Sequence, residues 1–581
     1  MSKSRDIADS AATINYIDGL TSDAQGQLND KATLDGSPTF TGTVTATAFS
    51  GDGSGLTGVD SLPSQTGNAD KYLTTDGTDA SWAAVSAGIT TATASGAISA
   101  GDPLVLNSDG TVSVISSSEY NYSSQTQFML QSFGSMPYST NNTANILSQM
   151  AAYDKKRNMY LWINSGGFFN GFANFYGIQM WSVSSDEYHQ PMIRNQMITQ
   201  RNESSNFFTP TAMAADYINS KWVCWGYYSN TTSTPRIITG TYNDYGMNYD
   251  SYTTQPQTDP FNFNKACGAA FDEVSGDFIA IGLVAAKLNI KSGYTRAAPT
   301  GRGLILRATS VIDSVTNNSA DEYLANMYWH QPTRQAIIVY NKNSTSLYCR
   351  VATYNGTSFT LGSEQTIGTS IQNSNQANPI VYYHDDQNCF IFAYLNTSGY
   401  PTLRPATLSG TTFTFKTAVT PMSINGNTRD WGSCQMSNSK IFTSANIYFA
   451  ISTMSNQQIV SSTGDHNTNI SNLESIQTTG GNIYYLKSSG TIVYTNTTNK
   501  NFALGTFYSS NYKGNNFIGF SNNNYSNGQT VTITVSSGVN SQQSNLIAGK
   551  DYYVDIHGNI TDGRAGPKVG IAKSATELLV K

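Results

Sequence analysis

The sequence predicts a mostly β protein with short N-terminal helices, a fibrous β spacer, and a large β-propeller-like body inserted in a small C-terminal β domain. Three observations lead to this fold class: an alternating threonine run near the amino end, an aromatic but weakly charged composition, and a recurrence every 50 to 60 residues. Charged residues make up 12% of the 581 residues, against roughly a quarter in ordinary soluble domains. The 35 Tyr, 25 Phe and 7 Trp favour ordered β structure over disorder.

Charge and apolar patterning argue against several functional classes. The formal net charge is −6 with no cluster of Lys or Arg, so we expect no nucleic-acid binding and no attraction to anionic membranes. The sequence contains neither an apolar run of roughly 18 residues nor a secretory signal, so we expect synthesis in a cytoplasm and no membrane insertion. The five Cys and five His follow no ligand spacing, which predicts buried free thiols, no metal site and no cofactor.

Residues 1–33 are predicted to form an N-terminal helical segment. Ile7, Ile14 and Leu28 lie seven or fourteen positions apart, which is typical of a short coiled coil. Gly19 interrupts the pattern, which favours two short helices over one. A coiled coil and an ordinary amphipathic helix pair remain alternatives, and in both cases an apolar face needs a partner.

A fibrous spacer is predicted over residues 34–60. Every odd position from Thr39 to Thr47 is threonine and the even positions are mostly small and apolar, so one strand face carries hydroxyls and the other a narrow apolar strip. Such a strip buries too little within one chain, so we expect identical chains to share it as a homotrimer. The residues assigned to this trimer spacer are Phe40, Val44, Ala46, Ala48, Phe49 and Leu56.

The spacer carries a family resemblance. Its segment GSPTFTGTVTATAFSGDGSGLTGV resembles a spacer in tail-fibre and other virion proteins of tailed bacteriophages, notably those of marine cyanobacteria. The earlier segment INYIDGLTSDAQGQLNDKA is similar to the start of phage fibre-like proteins. The resemblance implies a virion structural protein of the phage tail, attached through residues 1–33 to other tail or baseplate proteins.

Two small modules follow the spacer. Residues 61–92 are predicted to form a hairpin module and linker, because Lys71–Trp82 contains two short strand patterns about an Asp-Gly turn. The segments AGDPLVLNSDGTVSV and LIAGKDYYVDIHGNI resemble pieces of one small β module in cyanophage structural proteins. By this resemblance, residues 93–116 and 515–581 close into a single domain, and everything between them is an insertion.

The insertion, residues 117–514, contains a loose repeat. A small-residue or aromatic approach, a turn, and a strongly aromatic strand recur, and the turns are marked by Asp154, Tyr217, Asp272, Gln331, Asp385 and Ser437, at steps of 52 to 63 residues. This period suits a four-stranded propeller blade, which predicts six or seven blades. An irregular stack of β-sandwiches remains the alternative, because no blade consensus is present.

Receptor binding is predicted for two segments interpreted as long loops, 166–176 and 241–253. They combine Tyr, Asn, Gly and Ser, which give stacking surface and adaptable hydrogen bonds. The residues assigned to binding are Phe168, Phe169, Asn170, Phe172, Tyr176, Tyr242, Asn243, Tyr245, Tyr249 and Tyr252. The expected ligand is a host surface glycan or outer-membrane protein, with weak single sites multiplied by linked copies.

Catalysis is not expected, and the chain is predicted not to be an enzyme. A polysaccharide depolymerase is the enzymatic alternative, and it needs two carboxylates roughly 5 to 10 Å apart across a cleft. Asp272–Glu273 and Asp385–Asp386 are the obvious pairs, yet neighbouring residues in a strand face opposite ways and turn carboxylates usually serve the backbone. A purely structural tail or capsid decoration is the other alternative.

Overall fold

The computed structural model describes Thr43 and most of residues 66–581. The gaps in the latter range are 69–70, 76–79, 85–87, 120–129, 134–148, 170–173, 186–190, 201–207, 229–233, 245, 253–262, 264, 285–286, 296–303, 315–324, 344, 370, 373–378, 425–430, 446–447, 468–482, 487–489, 497–500, 514–515 and 565. The predicted N-terminal helices and the six trimer-spacer residues therefore lie outside the described residues. The chain divides into two compact units, Met1–Val85 and Ser86–Lys581, and each is described by itself.

The first unit contains an antiparallel hairpin, β1 (Lys71–Thr75) and β2 (Ala80–Ala84). Leu73 pairs with Trp82 across it. Tyr, Leu, Thr and Trp supply the side chains that pleated strands prefer.

The second unit is nearly all β, which confirms the predicted fold class at that level. Its described residues contain no α-helix, and their helical segments are two single 3-10 turns, η1 (Gln331–Thr333) and η2 (Asp385–Gln387). Its first strands are β3 (Ile89–Thr93), β4 (Pro103–Leu106), β5 (Val112–Val114), β6 (Ser117–Glu119) and β7 (Leu130–Phe133).

Seven small antiparallel sheets follow along the chain, here called sheets 1 to 7. Sheet 1 contains β8 (Gln149–Asp154), β9 (Met159–Phe169), β10 (Asn174–Ser185) and β11 (Pro191–Gln200). Sheet 2 contains β12 (Phe208–Asp216), β13 (Lys221–Tyr228), β14 (Thr234–Asn243) and β15 (Gly246–Tyr252). Sheet 3 contains β16 (Lys265–Asp272), β17 (Asp277–Val284), β18 (Lys287–Thr295) and β19 (Leu304–Ser314). Sheet 4 contains β20 (Ala325–His330), β21 (Gln335–Asn343), β22 (Ser346–Tyr354), β23 (Phe359–Leu361) and β24 (Gln365–Gly368).

The remaining three sheets have the same meandering order. Sheet 5 contains β25 (Ile380–His384), β26 (Cys389–Leu395), β27 (Pro401–Ser409) and β28 (Thr412–Phe415). Sheet 6 contains β29 (Trp431–Met436), β30 (Lys440–Ala445), β31 (Tyr448–Ser455), β32 (Gln458–Ser462) and β33 (His466–Asn467). Sheet 7 contains β34 (Ile483–Leu486), β35 (Thr491–Asn496) and β36 (Asn501–Thr506), and its fourth strand is β7, which pairs with β36.

Consecutive sheets pack face to face along the chain. The first strand of each sheet lies beside the first strand of the next, and a separate hydrophobic cluster fills each of the six spaces between sheets 1 to 7. Close approach of first strands requires small residues there: a Cβ on Gly268 of β16 would lie 3.0 Å from Met327 Cβ of β20. The large fully buried side chains include Trp222, Trp225 and Phe278, each contributing about 1.5–3 kcal/mol on burial.

The rest of the second unit is a smaller region, here called the split β region. Its later strands are β37 (Tyr508–Ser510), β38 (Phe517–Ser521), β39 (Thr530–Thr534), β40 (Val539–Asn540), β41 (Asp551–Val554), β42 (Ile560–Thr561), β43 (Lys568–Ala572) and β44 (Leu578–Val580). One sheet has the order β3-β39-β38-β4-β5 and the other β40-β44-β43-β41-β42, while β6 pairs with β37. Strands from before and after the seven sheets thus share hydrogen bonds and two hydrophobic clusters.

Candidate functional site

The strand order gives every sheet two distinct ends. Because neighbouring strands are antiparallel and consecutive, the turn between the first and second strands lies at the same end as the turn between the third and fourth. We call this the first-turn end. The turn between the second and third strands lies at the opposite end, which we call the second-turn end.

The first turns share one backbone feature. Each ends in a residue with positive φ, namely Asn158, Ser220, Gly276, Arg334, Asn388, Ser439 and Gly490, which recur every 51 to 62 residues. Left-handed backbone reverses a strand tightly, and Gly and Asn accept it at the lowest cost. The residue type at this position varies from sheet to sheet. The sequence therefore predicts where each turn lies, but it does not predict which residue adopts the positive φ.

Buried aspartates hold the first turns of sheets 1 to 3. Asp154 accepts backbone N–H groups of Lys156 and Arg157 at 2.8 and 3.0 Å. Asp216 does the same for residues 218 and 219 at 3.0 and 2.9 Å, and Asp272 accepts the backbone N–H of Ser275 at 3.2 Å. These side chains satisfy N–H groups of the turn that have no strand partner, which is the ordinary use of Asp at such positions.

Asp272 also joins sheet 3 to sheet 4. Arg334 donates to its carboxylate at 2.5 Å, Gln331 at 3.0 Å, and the Ser275 hydroxyl at 2.6 Å. Burial acts to raise the pKa of Asp272, but the hydrogen bonds from Arg334, Ser275 and Gln331 outweigh it and hold the pKa below its ordinary value. The carboxylate is therefore ionised and fully paired.

A second polar cluster spans sheets 1, 2 and 3. Lys155 Nζ lies 2.8 Å from Glu273 Oε2, and the Tyr217 hydroxyl donates to the same oxygen at 2.8 Å. Burial raises the pKa of Tyr217, and the hydrogen bond to Glu273 raises it further, so the phenol stays protonated. Glu273 of sheet 3 thus accepts bonds from both sheet 1 and sheet 2.

The other acidic pair also contacts its neighbours. Asp385 accepts Gln435 Nε2 at 3.1 Å, and Asp386 accepts the backbone N–H of Ser439 at 2.8 Å. Both pairs weighed as catalytic from the sequence therefore lie in or directly beside first turns and bond across to other sheets. Among the residues that the structure describes, no group of three or more His, Cys, Asp or Glu is placed to hold a metal ion.

The split β region packs on the first-turn end. The backbone N–H of Arg564 donates to the carbonyl of Lys156 at 3.0 Å, and its guanidinium pairs with Asp244 at 2.7 Å. At sheets 6 and 7, the Tyr485 hydroxyl lies 3.3 Å from His557 Nε2 and donates to Ser437 at 3.0 Å. Tyr508 of the split β region also donates to the carbonyl of Ser437 in sheet 6 at 3.1 Å, so the split β region sits over sheets 1, 2, 6 and 7.

The predicted receptor-binding segments are not two long loops. Phe168, Phe169 and Tyr176 lie on β9 and β10, whereas Asn170 and Phe172 lie outside the described residues. Tyr242 and Asn243 end β14, Tyr249 and Tyr252 lie on β15, and Tyr245 is outside the described residues. Tyr and Phe favour strands, so segments rich in them extend the hairpins.

The structure also separates the two segments. The β9–β10 hairpin turns at the second-turn end of sheet 1, and the β14–β15 hairpin turns at the first-turn end of sheet 2. Tyr242 is buried, with the Arg157 guanidinium 5.2 Å from its ring centroid, so its side chain offers little surface to a receptor. Burial and Asp154 raise its pKa.

No protein-family model and no curated protein matches this sequence. Solved structures with a similar arrangement include a putative 6-phosphogluconolactonase from Bacteroides fragilis, at 8% identity and a TM-score of 0.39, covering 64% of this chain and 98% of that one. The periplasmic gluconolactonase of Pseudomonas aeruginosa has 9% identity, a TM-score of 0.39, and coverage of 65% and 95%. The WD40 domain of Toxoplasma gondii coronin has 7% identity, a TM-score of 0.34, and coverage of 72% and 90%.

Enzymes stand among these neighbours, which contradicts the prediction that the chain is not an enzyme. All three TM-scores are below 0.5, so the similarities assign no activity to this chain. In the described part of the chain, no helix has both the length and the apolar character needed to span a membrane.

Proposed function

We propose that sheets 1 to 7 form a closed seven-bladed β-propeller, carried by a fibre-like virion protein of a tailed bacteriophage that binds a host cell-surface glycan or outer-membrane receptor. The observation that carries the fold proposal is the composition of sheet 7. Its fourth strand, β7, comes from before sheet 1 in the chain and pairs with β36. Sheet 7 thus combines strands from both ends of the series of sheets. A circular array of blades is expected to close in this way.

A direct contact between the two terminal sheets supports the same closure. The Tyr160 hydroxyl of sheet 1 donates to the carbonyl of Tyr485 in sheet 7 at 3.4 Å. Together with the six clusters between consecutive sheets, this contact gives every sheet a neighbour on both sides. Electron microscopy of the purified protein tests the proposal: class averages with a seven-lobed ring are expected, and an elongated stack of sheets would refute it.

The receptor-binding end follows from where the split β region packs. That region covers part of the first-turn end through Arg564 and His557, and the chain enters it from residues 1–85, which we propose attach to the phage tail. We therefore assign receptor contact to the second-turn end, which lies opposite the end that the split β region covers. Phe168, Phe169 and Tyr176 lie on the hairpin of sheet 1 that turns at this end.

The chemistry of this end suits a neutral glycan. In sheet 5, the turn between β26 and β27 is held by Asn396, whose side-chain oxygen accepts the backbone N–H groups of Ser398 and Tyr400 at 3.0 and 3.1 Å. The turn therefore holds Tyr400, which is partly exposed, beside amide and hydroxyl groups that carry no formal charge. Aromatic faces stack on sugar rings, while amides and hydroxyls exchange hydrogen bonds with sugar hydroxyls.

Cell binding tests the functional proposal. Fluorescently labelled full-length protein is titrated onto a panel of cyanobacterial strains, and saturable binding that competes with phage adsorption is expected on at least one strain. The triple variant Phe168→Ala, Tyr176→Ala, Tyr400→Ala is expected to bind at least tenfold more weakly.

The matched control changes exposed apolar residues at the first-turn end. Ile218→Ala with Val274→Ala removes side chains that are 51% and 67% exposed, and wild-type affinity is expected. Equal loss in both variants would contradict the assignment of the receptor to the second-turn end. Absence of binding to every strain that the phage infects would refute adhesion, and release of reducing sugar from host polysaccharide would instead indicate a depolymerase.

A further inference from the structure

The proposed propeller closes where the first strand of the series meets the last. β7 comes before sheet 1 in the chain, and β36 is the last strand of sheet 7 in chain order. The two strands pair from Leu130 with Gly505 to Phe133 with Phe502, and we call this pairing the closing ladder. Because β36 continues into β37 and not into β7, the propeller can open here through loss of the closing ladder, without unfolding of sheets 1 to 6.

One hairpin of the split β region, formed by β41 and β42, contacts the sheet 7 side of the closing ladder. Ile556 in its turn is buried in the cluster between sheets 6 and 7. A Cβ on Gly490, in the first turn of sheet 7, would lie 2.5 Å from Cδ1 of Ile556. His557 Nε2 lies 3.3 Å from the hydroxyl of Tyr485 on β34. The hairpin turn is therefore packed against the part of sheet 7 that contains β34 to β36.

The residues that follow this hairpin contact the sheet 1 side of the closing ladder. A Cβ on Gly563 would lie 2.6 Å from the carbonyl oxygen of Lys155, so the backbone at Gly563 touches the first turn of sheet 1. The backbone N–H of Arg564 donates to the carbonyl of Lys156 in the same turn at 3.0 Å. The Arg564 guanidinium pairs with Asp244 of sheet 2 at 2.7 Å. This second contact therefore holds sheets 1 and 2.

Hydrogen bonds within the turn fix the conformation that makes the first contact. The carboxylate of Asp555 is buried and accepts the backbone N–H groups of His557 and Asn559, each at 2.9 Å. Gly558 has φ +89, and a Cβ there would lie 2.4 Å from the carbonyl oxygen of Ile115. The turn is thus held by its own side chains and by the split β region beneath it.

We propose that residues 555–564 are a clasp that keeps the propeller closed at the closing ladder. This inference rests on the closed propeller of the proposed function and gives the split β region a role in it. One short segment contacts sheet 7 through Ile556 and His557, and sheets 1 and 2 through Gly563 and Arg564. Separation of β7 from β36 therefore also breaks one of these two sets of contacts. Both sets lie on the same chain, so the clasp acts at a high effective concentration.

Hydrogen–deuterium exchange of the full-length protein, read by mass spectrometry, tests the clasp. Gly563→Ala places a methyl group against the Lys155 carbonyl at a position outside the left-handed region, so it pushes the segment off sheet 1 without backbone strain. Exchange in β36 (Asn501–Thr506) is expected to rise about tenfold, because amides exchange through local opening. Exchange in β21 (Gln335–Asn343) of sheet 4 is expected to stay at the wild-type rate.

A second variant and a matched control accompany this change. Arg564→Ala removes the ion pair with Asp244 and keeps the backbone contact, so exchange in β36 is expected to rise about threefold. Gly362→Ala is the control, because a Cβ there would lie 2.6 Å from Thr411 Cβ at another position outside the left-handed region. That clash lies between sheets 4 and 5, away from the closing ladder, and wild-type exchange in β36 is expected.

Exchange and electron microscopy together separate the clasp from the propeller. Unchanged exchange in β36 in both Gly563→Ala and Arg564→Ala would overturn the clasp, and a seven-lobed ring in wild-type images would leave the propeller standing. An equal rise in β36 and β21 would also overturn the clasp, because it would show a loss of stability in the whole unit. An elongated stack of sheets in wild-type images would overturn the propeller and the clasp together.

Discussion

The guanidinium of Arg334 donates a hydrogen bond to the carboxylate of Asp272 at 2.5 Å. The donor ends the first turn of sheet 4, and the acceptor ends the first strand of sheet 3, so the ion pair joins neighbouring sheets at the first-turn end. The Asp272 side chain is fully buried and that of Arg334 is 21% exposed. Removing one member of such an ion pair is strongly destabilising, because the other charge stays buried without its counter-ion.

Replacing Asp272 therefore has a large expected effect. Asp272→Asn keeps the size of the side chain and removes its charge, leaving Arg334 without its counter-ion. We expect a loss of about 3 kcal/mol in the free energy of unfolding of the second unit, measured by urea titration with intrinsic fluorescence.

A turn carboxylate on the surface provides the control for this change. Asp385 occupies the first turn of sheet 5 and is exposed, so Asp385→Asn is expected to change the unfolding free energy by about 0.5 kcal/mol or less. Equal losses from the two substitutions would contradict the role assigned to the buried pair.

The same carboxylate predicts a pH dependence. Burial acts to raise the pKa of Asp272, but the hydrogen bonds led by Arg334 lower the pKa by a larger amount. The pKa in the folded protein therefore lies below the ordinary value of an aspartate. Its stabilising contribution is then complete above the unfolded pKa of about 3.9, and it is lost as the pH falls through the folded pKa.

The measurement is the melting temperature of wild-type protein and Asp272→Asn from pH 6 to pH 2. The difference between them is expected to be constant above about pH 5 and to shrink below about pH 4. A difference that stays unchanged down to pH 2 would mean that this carboxylate does not couple protonation to folding.

Two glycines separate backbone strain from steric clash. Gly88 has φ +80, and a Cβ there would lie 2.2 Å from Gly538, whereas Gly110 has φ +83 with nothing within 4 Å. Gly110→Ala is expected to cost about 1–2 kcal/mol for the left-handed backbone alone. Gly88→Ala adds the clash and is expected to lower the melting temperature further. Identical melting temperatures for the two variants would contradict this prediction, because they would show that the backbone at Gly538 moves to accommodate the added Cβ without cost.

The cysteines predict slow thiol chemistry. Cys224, Cys349, Cys389 and Cys434 are buried free thiols, and Cys267 is partly exposed. Burial raises the pKa of Cys349 to about 12 and that of Cys389 to about 11, so little thiolate forms at neutral pH. In a colorimetric thiol assay at pH 8, we expect at most one fast-reacting thiol in native protein and five after denaturation. Two or more fast thiols in native protein would contradict the burial of these strands.

Local patterns in the sequence predicted local structure well. The markers Asp154, Asp272 and Asp385 fall at or beside the first turns of sheets 1, 3 and 5, because an aspartate that caps nearby N–H groups acts within a few residues. The aromatic runs after them became buried strands for an equally local reason. In 166–176 and 241–253, most of the described residues lie on strands and not in the predicted loops, because Tyr and Phe favour extended backbone even among Gly, Asn and Ser.

Contacts between distant residues were beyond sequence reading. Arg334 has a positive φ and binds a carboxylate 62 residues away, although nothing in its own neighbourhood marks it. The bond from Lys155 to Glu273 spans 118 residues, and β7 joins a sheet formed some 370 residues later. Spacing along a chain does not determine which turns meet in space.

The sequence by itself determined that the second unit is a β structure of short strands with turns at regular intervals, because strand propensity and turn chemistry depend on near neighbours. The tertiary structure alone decided that the split β region sits on the first-turn end, that Asp272 is buried against Arg334, and that Arg564 contacts the turns of sheets 1 and 2. The physical reason is that burial and pairing depend on which sheets pack together, and packing is a property of the whole chain rather than of any segment.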